Sequence, residues 1–268
     1  GITNPPVYWD DLINMVPLLT KKDATNSVTK SAVAMGQFVN VAHAKEIISA
    51  LFMQAGNPIV SEKEGFFVSS LDQTVGKYDL ASVLQFYTDF ADPVKNVYSW
   101  NRSFSNSSDA FSAENLAFYF GYASELQNLV NKNPNQNFMV APLPQIKNAN
   151  FKLTSGRVTG IAISAFSKNL TTAITAAGLM SSGDFAAKLS GTLGVTPARR
   201  DLLAVKKVDA YNTTFYPSAL YARSWMDPSS DDTNNIFKGM VDGVLSNNLT
   251  ADNAIRDASS KLDLLLLK

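Results

Sequence analysis

The sequence predicts an α/β fold with more helix than sheet. Three observations carry this. Apolar residues recur at helical spacing in several separate windows, and short aromatic or β-branched runs lie between those windows. Residues 115–144 read in one pass as strand, turn, helix, loop and strand. In that stretch 116–120 is an aromatic strand, Gly121-Tyr122 is the turn, and 123–130 is a helix with Leu126, Leu129 and Val130 on one side. Asn133-Pro134-Asn135 breaks it before an extended 138–141. In α/β folds a turn from a strand's carboxyl end into a helix is a favoured place for ligands.

The other elements follow in order. Trp9-Asp10-Asp11 opens a helix to about residue 19, with acidic residues in its first turn as the macrodipole favours. Residues 20–29 form a polar loop and 31–39 a strand of small apolar residues. Residues 42–55 form a helix with Ile47, Ile48, Leu51 and Phe52 on one face and Gly56 as its stop. Residues 57–77 suggest a hairpin. Asp79 caps a helix striped by Leu80, Val83, Leu84, Tyr87 and Phe90, which Asp92-Pro93 ends. Residues 97–108 are an Asn/Ser-rich loop holding Tyr98 and Trp100, with Ser107 or Ser108 capping a short helix.

Beyond 144 the pattern gives a polar connector at 145–156 and a strand at 158–164. Alanine-rich helices at 169–181 and 184–193 come next, then a short helix starting at 196–200 and a connector at 206–217. A helix is expected at 218–225, closed by Asp227-Pro228. Two final helices lie at 233–245 and after the Thr250 cap, the last ending in the apolar run 264–267 as a docked helix end.

The totals exclude several functions. With 23 basic and 23 acidic residues the net charge is zero, which gives no electrostatic case for nucleic acid or an anionic membrane. There is no cysteine and a single histidine, His43, so disulfides, thiolate metal sites and His-rich metal clusters are out. No phosphate loop and no G-x-G-x-x-G after a strand occurs, so no cofactor is expected.

An ordered set of short motifs then resembles a known family. It runs Tyr8-Trp9-Asp10-Asp11-Leu12, Gln54-Ala55-Gly56, Leu84-Gln85-Phe86-Tyr87, Asp109-Ala110-Phe111, Phe120-Gly121-Tyr122 and Val140-Ala141-Pro142-Leu143-Pro144. Gly160-Ile161-Ala162-Ile163-Ser164, Ser167-Lys168-Asn169 and Leu249-Thr250-Ala251-Asp252-Asn253-Ala254 continue it. The set resembles the extracellular (periplasmic) solute-binding proteins of ABC transporters, in the sugar-binding group that includes maltose-binding protein.

The resemblance implies a two-lobed, type II periplasmic-binding-protein-like fold with ligand in the interlobe cleft. It maps 1–155 to the first part of the C-terminal lobe, 156–207 to an N-terminal-lobe segment and 208–268 to the closing helices of the C-terminal lobe. Family members begin with half of the N-terminal lobe behind a signal or lipoprotein sequence. Neither is found here, so the chain is expected to be N-terminally truncated. The implied protein is an extracellular or periplasmic, membrane-tethered lipoprotein in full-length form and a monomer. It hands a small-molecule ligand, a sugar or oligosaccharide, to a membrane permease.

Sugars are held by aromatic faces and by planar polar groups on hydroxyls. Tyr122 follows Gly121 where related proteins place a stacking aromatic; the alternative is a core ring under the helix. Glu125 lies one turn on, facing either the same cleft or solvent. Trp100 is a cleft platform or a lid on the core. Asn40 and His43 open the 42–55 helix, which the family aims at the cleft. Trp225, beside the charged Asp227 in the last crossing region, is either a sugar platform or a core ring. Arg199 and Arg200 read as a solvated helix start.

No catalytic or metal residue is expected. A glycosidase needs two opposed carboxylates, and sequence singles out no pair from Asp109, Glu114, Glu125 and Asp227. A scaffold role for an isolated lobe is the other alternative.

Overall fold

The computed structural model describes residues 2–267. Its centre is α2 (Ala44–Gln54), in which nine of eleven residues are buried. The Ile47, Ile48, Leu51 and Phe52 stripe lies in the main core, as the spacing predicts. Gly56 ends the helix at φ +88, a conformation that favours glycine.

Around α2 the chain builds a small mixed sheet. Strand β2 (Val28–Val33) pairs antiparallel with β1 (Lys21–Lys22) and parallel with β5 (Leu116–Phe118), in the register Ser31↔Leu116 and Val33↔Phe118. Helix α1 (Trp9–Leu19) packs on β2. At its start the Asp11 carboxylate accepts the amides of Val7 and Tyr8 at 3.1 and 2.9 Å. The hairpin β3 (Val60–Lys63) and β4 (Phe66–Ser69) turns at Glu64-Gly65, both at positive φ, which matches the twist of a two-residue hairpin loop. Helix α3 (Leu80–Thr88) is capped by Asp79, whose carboxylate accepts the Ser82 amide at 2.8 Å.

Helix α4 (Ser107–Ser112) is capped by Asn106 rather than by either serine, and Asn106 Oδ1 accepts the Ser108 amide at 3.0 Å. Strand β5 leads through a 3-10 turn (Ala123–Glu125) into α5 (Leu126–Lys132). The closing helices α10 (Ser230–Leu245) and α11 (Ala251–Leu266) pack together and on α3, and Thr250 caps the second. Within the terminal apolar run Leu266 packs against the core while Leu264 and Leu267 are exposed, so the run docks on one side only.

Residues 156–221 leave and return beside the parallel pair β6 (Thr154–Ser155) and β7 (Ala222–Arg223). They carry α6 (Leu170–Met180), α7 (Gly183–Leu193), α8 (Arg200–Leu203) and α9 (Asn212–Leu220). None of these residues belongs to the main core among the described residues. The strand expected at 158–164 is corrected: it has no ladder partner among the described residues, and Val158, Ile161 and Ile163 are exposed. The connector expected at 206–217 contains most of α9. That helix buries no side chain, so it leaves no apolar stripe to read. The helix expected at 218–225 ends at Leu220 and gives way to β7.

The start of α10 is tied to α2 by a buried charge. Lys45 Nζ donates to Asp227 Oδ2 at 2.8 Å, Thr233 Oγ1 at 3.0 Å and the Ser230 carbonyl at 3.1 Å. Lys45 is buried, whereas Asp227 keeps contact with solvent. Removing the acid strands a charge in the core; removing the lysine leaves a hydrated carboxylate. Asp227→Ala is therefore expected to cost about 3 kcal/mol and Lys45→Met distinctly less. Urea denaturation of the two variants checks the order, and equal costs would refute it.

Candidate functional site

Three of the seven residues singled out from sequence meet in space. His43 Nε2 lies 2.7 Å from Glu125 Oε1. The His43 and Tyr122 rings meet edge to face with centroids 5.0 Å apart. Glu125 Oε2 accepts the Tyr122 amide at 3.0 Å and the Tyr119 hydroxyl at 3.2 Å. The Tyr122 hydroxyl lies 3.3 Å from Ser155 Oγ, at the point where β6 leads into the 156–221 excursion.

Local chemistry explains the convergence. Gly121 lets the turn close, since a Cβ there would sit 2.4 Å from Glu125 Oε2 and 2.6 Å from the Tyr119 ring. Turn formation bends Glu125 back onto its own backbone, the amide of Glu125 donating to the Tyr122 carbonyl at 3.0 Å. His43 precedes α2 at φ +58, a left-handed conformation unusual for a residue with a side chain.

The pair has defined electrostatics. Burial works against the His43 imidazolium, but the hydrogen bond and charge of Glu125, with Glu46 adding, raise its pKa above the ordinary value. Burial likewise opposes the Glu125 carboxylate, yet His43, the Tyr122 amide and the Tyr119 hydroxyl hold its pKa below the usual carboxylate range. Burial and the nearby Glu125 push the Tyr119 phenol up.

His43 also lines a cavity of about 350 Å³ with Phe38, Val39, Val41, Ala44, Glu46, Asn234 and Lys238. That volume lies at the lower end of small-molecule sites. Its wall combines apolar side chains with a carboxylate, an amide and an ammonium. Such a lining suits a ligand that presents both C–H faces and hydroxyls. Glu46, Asn234, Lys238, Ser155 and Tyr119 escaped the sequence reading. Glu46 was within reach, being three residues on from His43 and so on the same side of the helix. Asn234 and Lys238 lie one helical turn apart on α10, but nothing local ties them to α2.

The remaining expected site residues serve structure instead. Trp100 is corrected: it is 0% exposed, stacks on Phe104 at 4.4 Å and donates to Asn40 Oδ1 at 3.1 Å. Asn40 is corrected with it, since its amide donates to the carbonyls of Asn101 and Phe104 at 2.9 and 3.0 Å and so clamps the 101–104 loop. Trp225 is half-buried, its ring stacking on Phe237 and its nitrogen donating to Ser49 Oγ at 3.2 Å. Asp227 is corrected because it is engaged by Lys45 and by the Thr233 hydroxyl. Arg199 pairs with Asp201 at the start of α8, in line with a solvated helix start.

The fold is that of a solute-binding protein. The sequence matches the profile of the bacterial extracellular solute-binding proteins over residues 1–182, and the chain belongs to that family. No curated protein matches it. Among solved structures it is similar to a cyclo/maltodextrin-binding protein complexed with maltotetraose, at 15% identity and TM-score 0.74, covering 97% of this chain and 65% of that one. It is similar to an ABC transporter solute-binding protein from Thermotoga lettingae bound to alpha-D-tagatose, at 20% identity and TM-score 0.65, covering 98% and 65%. A maltose/maltodextrin-binding domain from Bdellovibrio bacteriovorus bound to maltotriose is similar at 13% identity and TM-score 0.65, covering 100% and 68%. The chain thus spans about two thirds of the length of the structures it resembles. Its fold class is theirs, the mixed helix and strand fold of periplasmic binding proteins.

The signs of the two shifts set a pH window for stability. His43, raised, contributes below its unfolded value near 6.5, and the contribution is lost as pH rises through its folded value. Glu125, lowered, contributes above its unfolded value near 4.3, and the contribution is lost as pH falls through its folded value. The stability difference between the parent chain and Glu125→Gln should be largest between about pH 4.3 and 6.5 and shrink on either side. Urea midpoints across pH check this, and a difference that ignores pH would contradict it.

Proposed function

We infer that this chain supplies one wall of a carbohydrate site, used in recognition of a sugar or oligosaccharide for an ABC importer. The observation that carries the reading is the joining of Tyr122, His43 and Glu125 beside a cavity lined by Glu46, Asn234 and Lys238. Tyr122 offers a ring to the C–H face of a pyranose. Glu46 accepts hydroxyls, while Asn234 and Lys238 donate to ring and hydroxyl oxygens. The sugars in the solved relatives support the ligand class.

The site binds and does not transform its ligand. Glu125 is engaged by three donors, which leaves it poorly placed as the protonated acid a glycosidase needs. The whole protein delivers its ligand to a membrane permease, works as a monomer and is tethered as a lipoprotein.

Residues 156–207 belong to the opposing lobe, and the chain returns to the first lobe from 208. Packing of Phe138 on Tyr211, with the Thr214 hydroxyl donating to the Val140 carbonyl, supports that division.

Calorimetric titration of the chain with maltotriose tests the reading. Saturable binding is expected, and Tyr122→Ala should weaken it at least about tenfold, the loss of a stacking aromatic with its buried area. Unchanged affinity in the variant would remove Tyr122 from the site. Absence of binding to any sugar of a mono- to tetrasaccharide panel would overturn the carbohydrate assignment.

A further inference from the structure

His43 lines the cavity, and Glu125 stands behind it. Both oxygens of Glu125 are taken, one by His43 and the other by the Tyr119 hydroxyl and the Tyr122 amide. Glu125 thus holds two groups at once: the imidazole that lines the cavity, through a side-chain bond, and the Tyr122 backbone behind it, through an amide. The two rings it holds also touch each other. His43 adopts a left-handed backbone, which a residue with a side chain keeps only where its surroundings impose it. The Ala42 amide on Ser107 Oγ and the Ile47 amide on the His43 carbonyl hold that backbone, and Glu125 and Tyr122 hold the ring.

We propose that Glu125 is a positioning residue for the solute cavity that acts through His43, so that a proton on His43 sets the wall in its binding arrangement. This rests on the reading of the cavity as the solute site. A protonated His43 makes a charge-assisted bond to Glu125, and deprotonation leaves a weaker neutral donor. His43 is the chain's single histidine, and histidine changes charge in the range where extracellular pH varies.

The charged and titratable neighbours agree with one switchable group. On α2 Glu46 favours the proton. From the 119–125 turn come Glu125, which also favours it, and the phenols of Tyr119 and Tyr122, both raised by burial and so neutral over this range. Arg157, beyond β6, opposes the proton. Lys238 of α10 lines the same cavity and is paired with Asp242 at 2.7 Å.

The test follows ring signals of the full chain, labelled with 13C in tyrosine and histidine, from pH 5.5 to 8.5 without ligand. Tyr122 signals should move with the same midpoint as His43. His43→Gln should flatten the Tyr122 response, and Glu125→Gln should lower the His43 midpoint, because burial then acts with less opposition. A Tyr122 ring that stays still while His43 titrates would overturn the proposal, as would a His43 midpoint unchanged in Glu125→Gln.

A second arm measures maltotriose affinity at pH 6 and pH 8.5. Weakening of about two- to fivefold at the higher pH is expected, the size of a half-exposed ion pair, and His43→Gln should abolish that difference. Equal affinity at both pH values, or a pH dependence kept in His43→Gln, would overturn it. Failure of maltotriose to bind at either pH refutes maltotriose as the solute and leaves the carbohydrate reading to the wider panel, and the ring signals still decide the coupling.

Discussion

A helix buried on nearly every side cannot leave its polar side chains unpaired, and α2 is such a helix. Each polar group it buries reaches a different part of the chain. Gln54 accepts the Trp9 indole N–H at 2.7 Å and donates to the carbonyls of Pro144 and Leu153 at 3.0 and 2.8 Å. Ser49 accepts the Trp225 indole N–H, and Lys45 is enclosed by Asp227, Ser230 and Thr233. At the helix start His43, half-buried, takes Glu125. One eleven-residue helix thus fixes where residues 9, 125, 144, 153, 225 and 227–233 lie. The candidate site lies at the amino end of this helix, among the segments that His43 and Lys45 hold, while Gln54 holds residues 9, 144 and 153 at the other end.

That arrangement explains the division of labour among the aromatics. Trp100 and Trp225 are tied by their indole nitrogens to Asn40 and Ser49, and their rings pack on Phe104 and Phe237. Tyr122 is held by its backbone amide, which leaves its ring beside His43 and its hydroxyl near Ser155.

Local signals in the sequence were sufficient for most helices. Asp79 and Thr250 cap where their spacing predicts, Gly56 stops α2, and the stripes of α2, α3 and α11 face the core. Signals that depend on a distant partner were not. The β-branched run at 158–164 is extended but unpaired among the described residues, and no sequence pattern specifies a partner. In the site, Tyr122 was legible because Gly121 marks a turn, and His43 because it opens a helix. For Trp100, in its Asn-rich loop, the sequence left open a cleft platform or a lid on the core, and the ring is buried in the core. That loop in fact folds back over the core, its carbonyls held by Asn40. Lys238 and Asn234 carried no local signal, because the cavity brings them to α2 from nearly two hundred residues away.

The central claim is that solute binds where α2 emerges, between the Tyr122 turn and α10. A maltotriose titration followed by backbone amide signals of the full chain tests it most directly. Saturable shifts confined to residues 38–46, 119–125 and 234–238 are predicted. Saturable shifts on another surface, with these three segments unmoved, would contradict it.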